Sequence, residues 1–426
     1  LATPSRKRNA FNFTDSGSLM LLTPNAVADC LADAPLPWLG GLRASEFLRD
    51  YWQKKPLLVR NAFPALADLL APKELLELAE TEDVESRVIV EDGAEPWEMR
   101  EGPFHPTVWR KLSQRKWTAL VQAVDHYLPP LADLLDHFAF VPEWRIDDVM
   151  VSYAVPGGSV GAHFDQYDVF LLQGPGQRRW QLGEQCNEDT PRLEHAQLRL
   201  IADMPVTFDE ILGPGDLLYV PPGLGHFGVA QSECLTYSVG FRAPSLGHIM
   251  EQVVDAVLLE RGTEQLYSDA GRALPQHPAE LGLSDVNTLA STLQGWLQQP
   301  QLFQTALAPF LSEAKYDDYE PEGEPCSLSD LRTALGEGVD LLRDPASRWL
   351  WESQTHTFWR NGAVVNVPDA VKPYLPQLLT GRRHVAAELA QLPEAVLSWL
   401  ADDISAGYWL PVEGYSAGNT AGTGSR

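Results

Sequence analysis

The sequence predicts an α+β chain: a core of short β-strands set between helical segments that precede and follow it. Three observations predict this. From Ile146 to Phe241 the apolar residues recur with a period of two, broken by GG, GPG, PGD and PPG turns. On either side the apolar period is helical. Within the β-rich stretch lie a His-x-Asp pair, His163-Phe164-Asp165, and a second histidine, His226, much further along.

The chain has 426 residues, 44% of them hydrophobic, enough for two or three domains with sizeable cores. Fifty-eight acidic side chains against 32 basic ones give a net charge of −26. Such a surface repels nucleic acid and anionic membranes and suits a basic, Arg/Lys-rich protein partner. The four cysteines (Cys30, Cys186, Cys234 and Cys326) have no CxxC spacing, which excludes zinc ribbons and thioredoxin-type chemistry and fits a reducing cytoplasm. No apolar run reaches the roughly 18 residues of a membrane span. Residues 1–19 lack the apolar stretch of a secretory signal and read as a flexible leader. Residues 416–426, rich in Gly, Ser and Thr, read as a flexible tail.

In chain order, residues 44–54 place Phe47, Leu48, Tyr51 and Trp52 on neighbouring helical turns, and Pro56 closes that helix before a strand, LLVR. Residues 66–78 are helical, with Pro72 starting a new first turn. Residues 117–138 read as helical, interrupted by Pro129-Pro130. The strands follow: VMVSYAV, DVFLLQ, RRWQLG, PVTFDEIL, DLLYVP and LTYSVGF. Their spacing fits a β-sandwich, jelly roll or barrel. From Ser245 three helices carry broad apolar stripes that suit packing on each other or on a second subunit. An acidic Pro/Gly-rich stretch, DDYEPEGEPCS, reads as a linker. A Ser-capped helix, two strands turning at Asn361-Gly362, and two further helices then form a winged-helix-like module. Residues 327–413 hold eleven acidic against seven basic side chains, so the module lacks the basic footprint of a DNA-binding face.

Read as residues of one strand, where i and i+2 share a face, His163 and Asp165 can hold one metal ion. His226 follows PGDLLYVPPGLG, a turn, strand and turn that bring a late strand beside an early one. Two histidines and one carboxylate with positions left open form the ligand set of non-haem Fe(II) oxygenases. Arg178 and Arg179 face opposite sides of their strand. Whichever points inward needs a carboxylate partner, which a dicarboxylate ligand supplies through a bidentate pair.

HFDQYDVF, GPGQRRWQLG, PGDLLYVPPGLGH and YSVGFRAP together resemble the bacterial ribosomal oxygenases, which are JmjC/cupin-type, Fe(II)- and 2-oxoglutarate-dependent hydroxylases. The resemblance runs from about Phe47 through the C-terminal module. It implies a double-stranded β-helix (the JmjC/cupin jelly roll) with a helical surround over residues 20–244. It further implies a helical dimerisation region over 245–316, a linker over 317–326 and a winged-helix-like domain over 327–415. It implies hydroxylation, at Cβ, of an arginine in a large-subunit ribosomal protein, protein sixteen, with Fe(II), 2-oxoglutarate and O2. Carried over, His163, Asp165 and His226 match the iron ligands. Arg178 matches the group that binds the distal carboxylate of 2-oxoglutarate, with Ser152 beside it. Asp148 and Tyr167 match positions that hold the substrate arginine, a role that suits an acid and an aromatic ring. The sequence departs from the pattern at Gln177, where some relatives carry a basic residue. Rival expectations are a histidyl hydroxylase, a lysyl demethylase, a metal cupin of another reaction class, and a non-catalytic binding module.

Overall fold

The computed structural model describes residues 26–412 apart from 94–95, 196, 262–265, 276 and 299. The expected leader, 1–19, and tail, 416–426, lie outside the described residues. Eleven strands build the N-terminal region: β1 (Leu57–Val59), β2 (Ser86–Asp92), β3 (Pro96–Glu101), β4 (Trp117–Val121), β5 (Ile146–Ala154), β6 (Val169–Gln173), β7 (Arg178–Gln185), β8 (Phe208–Leu212), β9 (Leu217–Val220), β10 (Leu224–Ala230) and β11 (Cys234–Phe241). Eight form one antiparallel sheet in the order β1-β9-β6-β11-β5-β4-β2-β3, and β10-β7-β8 form a second. Two antiparallel sheets with this much crossing over are the jelly roll anticipated from the sequence.

The period of two has a direct physical cause, because each central strand serves two cores. On β6, Phe170 and Leu172 join the large core beneath the helices, while Val169 and Leu171 join the smaller core that includes Trp180, Leu182 and Leu212. On β9, Leu217 and Tyr219 pack one way, Leu218 and Val220 the other. The helix Ala44–Asp50 covers the outer face. Its Phe47 ring lies 5.0 Å from Tyr219 and 5.6 Å from Phe170, centroid to centroid. Burying such a ring contributes about 2–3 kcal/mol, so Phe47 fixes the helix on the sheet.

The expected helix over 117–138 is a correction. Trp117–Val121 is the strand β4, paired with β5 through Thr118↔Ala154 and with β2 through Val88↔Ala119. Only Pro129–Leu134 is α-helical, framed by short 3-10 turns. All five β4 residues are buried. A strand with both faces covered carries no alternation to separate it from a buried helix. Strands β2 and β3, in a stretch with no clear reading from the sequence, complete that edge of the sheet.

The described residues divide into two compact units. The first holds the two sheets up to Ala243, together with Asp318–Ser347 and Pro368 onward. It includes the helix Leu328–Gly336, whose Ser327 cap forms a capping box with Asp330, and a small sheet of β12 (Asp340–Arg343), β16 (Arg383–His384) and β17 (Trp409–Val412). Three arginines of this part reach acids beside the start of β5. Arg343 grips Glu143 at 2.7 and 3.2 Å, Arg382 meets Glu143 at 2.8 Å, and Arg383 meets Asp133 at 2.7 Å. The second unit holds the helices Leu246–Arg261, Leu283–Leu297 and Pro300–Leu311, with the hairpin β13 (Trp349–Glu352), β14 (Thr357–Arg360) and β15 (Ala363–Val364). Its small core is Val253, Val257 and Ala306. Among the described residues no helix is long and apolar enough to cross a membrane.

Candidate metal and cosubstrate site

Between the two sheets lies a cavity of about 470 Å³. Strand β5 supplies one wall by simple alternation. Val149, Val151 and Tyr153 point into the large core, while Asp148, Met150 and Ser152 line the cavity.

His163 and Asp165 lie on the connection between β5 and β6. This corrects the expectation of a regular strand, since His163 forms only an isolated bridge with His226. The bridge does the work of a strand. His163 N donates to the His226 carbonyl at 3.0 Å, His226 N donates back at 2.8 Å, and Gly223 N holds the Asp165 carbonyl at 2.7 Å. His226 itself sits within β10. One ligand atom from each of His163, Asp165 and His226 can be chosen so that all lie within 4.8 Å of one another. The imidazole centroids are 4.2 Å apart, and His226 Nε2 lies 3.5 Å from Asp165 Oδ2.

The ring tautomers follow from the partners. His163 Nδ1 is 2.9 Å from the Gly161 carbonyl, and His226 Nδ1 is 3.0 Å from the Leu224 carbonyl. A carbonyl only accepts, so each Nδ1 carries a proton, and when the ring is neutral its lone pair is on Nε2. Burial, and then the neighbouring His163, push the His226 imidazole down to about 4. Two imidazoles and a carboxylate oxygen, each ring steered through its other nitrogen, suit a divalent transition metal.

Deeper in the cavity, Arg178 is 3% exposed while Arg179 points outward to a bidentate pair with Asp209 at 2.6 and 2.5 Å. Strand alternation therefore separates the two arginines as the sequence analysis allowed. Arg178 Nη1 reaches Ser152 Oγ at 3.5 Å, and its guanidinium lies 5.7 Å from the Trp180 ring centre. Among the described residues its buried Nε and Nη2 have no hydrogen-bond partner. Leaving a buried charged donor unmatched is costly, so the protein presents two unmet donors to an anion beside the His163–Asp165–His226 cluster. A dicarboxylate fits this arrangement.

Asp148 is buried and Tyr167 is 41% exposed, and both line the same cavity. Asp148 Oδ2 accepts from Gln122 Nε2 at 2.8 Å and from Ala123 N at 2.9 Å. The structure thus gathers all seven candidate residues around one cavity. It adds Gln122 and Arg87, which the sequence reading missed; both come from the poorly legible β2–β4 region. Of the other histidines, His126, His137 and His384 are buried, and burial pushes the last two down to about 4, as befits neutral core groups.

Residues 133–249 match the JmjC domain family, and residues 295–409 match the ROXA-like winged helix. The chain is 34% identical over 371 residues to the ribosomal protein uL16 3-hydroxylase of Escherichia coli (strain K12), covering 86% of this chain and 96% of that protein. It is 36% identical over 375 residues to a probable ribosomal oxygenase of Haemophilus influenzae, covering 84% and 92%. A solved structure of an Escherichia coli ribosomal oxygenase in complex with cobalt and 2-oxoglutarate superimposes with a TM-score of 0.71 at 32% identity, over 86% of this chain and 97% of that one.

Proposed function

Because the chain belongs to the JmjC-domain ribosomal oxygenases with a ROXA-like winged helix, we propose that it hydroxylates an arginine side chain, at Cβ, in the large-subunit ribosomal protein sixteen (uL16). The observation that supports this reading is the cavity that carries a His-Asp-His cluster, an inward arginine with unmet donors, and an acid and a tyrosine in its lining. Iron(II), 2-oxoglutarate and O2 are the cofactor and cosubstrates, and together they supply the oxidation: one oxygen atom enters succinate, with loss of CO2, and the other becomes the new hydroxyl.

The residues of this chain have separate tasks in that scheme. His163, Asp165 and His226 hold the iron through two Nε2 lone pairs and a carboxylate oxygen. Arg178, with Ser152 beside it, receives the distal carboxylate of 2-oxoglutarate. Asp148 faces the substrate guanidinium and Tyr167 stacks on it, a pairing of charge and π-face that a flexible cation satisfies well. Apolar walls such as Val169, Leu171 and Trp180 exclude water from the site.

The test is 2-oxoglutarate turnover with iron and air, with and without a uL16 fragment, followed by fragmentation mass spectrometry. The expected result is a gain of about one oxygen mass (roughly 16 Da) on an arginine, dependent on both iron and fragment. Oxidation of a histidine, or loss of a methyl group from a lysine, would replace the arginine reading. Succinate without peptide oxidation would discard the substrate and keep the oxygenase.

We also propose that the chain works as a homodimer through its helical region, which the Leu283–Leu297 helix supports. That helix buries no residue and exposes Leu283, Val286, Leu289 and Leu293 at helical spacing. Light scattering is expected to give twice the chain mass; a monomer at micromolar concentration would remove this reading. The acidic balance of the winged-helix module argues for a protein-contacting or structural use rather than DNA.

A further inference from the structure

We propose that the turn leaving β4, Gln122-Ala123, is a positioning device that fixes the Asp148 carboxylate in the cavity, and that Gln122 thereby determines selectivity for a cationic substrate side chain. The inference rests on the reading of Asp148 as the group facing that cation, and it adds residues that no motif marked.

Four observations carry it. First, one oxygen of Asp148 receives two donors from consecutive residues, Gln122 Nε2 at 2.8 Å and Ala123 N at 2.9 Å. A carboxylate held by two donors cannot rotate freely about its last bond, so its second oxygen is aimed as well. Second, Ala123 adopts the left-handed conformation, φ 52° and ψ 42°, and is fully buried. A non-glycine residue there is strained and persists only where its surroundings enforce it. Here the strained turn is what delivers its N–H to Asp148. Third, the peptide after Asp148 is pinned from the same loop, because Val149 N donates to the buried Asp125 Oδ1 at 2.8 Å. The segment 122–125 therefore grips both the side chain of Asp148 and the backbone that follows it. Fourth, Gln122 lines the same cavity as Asp148, Tyr167 and the His163–Asp165–His226 cluster. With its NH2 committed to Asp148, the amide is oriented, and its carbonyl is an added neutral acceptor at the site where a guanidinium must satisfy several donors.

A merely structural turn would leave substrate selectivity untouched or damage every parameter together. A positioning device acts on the peptide alone. The full-length, iron-loaded enzyme is assayed with the arginine-containing uL16 fragment, varying peptide and 2-oxoglutarate separately. Gln122→Met keeps the volume and removes the donor. The expected result is a rise in peptide KM of about tenfold or more, with the KM for 2-oxoglutarate moving less than about twofold. A double-mutant cycle with Asp148→Asn is expected to be non-additive, the double variant matching Asp148→Asn alone, because Gln122 acts through that carboxylate. Should Gln122→Met fail to fold, Gln122→Asn, which draws the amide back by one methylene, carries the same expectation. Additive effects, or equal rises in both KM values, would overturn the positioning role. If Asp148→Asn raises peptide KM while Gln122→Met does not, the device is wrong and the Asp148 reading stands. If Asp148→Asn leaves peptide KM unchanged, the Asp148 reading fails and the proposal falls with it.

Discussion

Replacing His163 or Asp165 by alanine is expected to lower 2-oxoglutarate turnover by at least about a hundredfold, the top of the range for changes in groups that merely support a metal ligand. The reason is geometric. In the proposed site one nitrogen from each of two rings and one oxygen of Asp165 would hold the metal, and two donors no longer span three sites of one coordination sphere. The fold is expected to survive. His163 and Asp165 are only partly buried, and the links that set the chain there run through backbone, from His163 to His226 and from Asp165 to Gly223. Alanine keeps every one of those bonds. The check is succinate formation together with iron content by elemental analysis and a thermal melt. Near-normal turnover in either variant would show that the cluster is not the metal site. Lost activity with full iron occupancy would move the defect from binding the metal to using it.

That cluster was legible because its signal is local. His163 and Asp165 share a face through i, i+2 alternation, and the bridge to His226 needs only the turn, strand and turn that the Gly and Pro residues announce. Arg178 was half legible: alternation says that one of Arg178 and Arg179 points inward, and the pairing of Arg179 with Asp209 on β8 decides which. Gln122 was hidden. It follows a run, WTALV, that is buried on both faces, and the pairing of β4 with β5 joins residues thirty or more positions apart. No period in the sequence encodes that partner. The same holds for β16, two residues long, whose place beside β12 comes from the neighbours rather than from its own pattern. Without the family resemblance Asp148 reads as a plain carboxylate at a strand start, and the structure places it on the cavity side of β5.

The second large effect is expected at Arg178. Arg178→Met should raise the KM for 2-oxoglutarate by about a hundredfold, the cost of a lost charge-assisted pair of roughly 3 kcal/mol. Stability should move the other way. Among the described residues Arg178 is a buried cation whose Nε and Nη2 have no partner, and Ser152 offers only a long contact at 3.5 Å. Removing such a group and filling its volume with an apolar chain is neutral or favourable, so the melting temperature without ligand is expected to hold or rise. Arg178→Lys separates charge from geometry: a single point charge lacks the planar fork, so it should recover part of the affinity and not all. A buried arginine that served the fold would show the reverse, with a lower melting temperature and an unchanged KM, and that pair of results would remove Arg178 from the cosubstrate site. The opposition between the two readouts is the useful feature, because a binding group is strained in the absence of what it binds. In the proposed site the fold would carry an unmet charge at Arg178 as the condition for recognising a dicarboxylate.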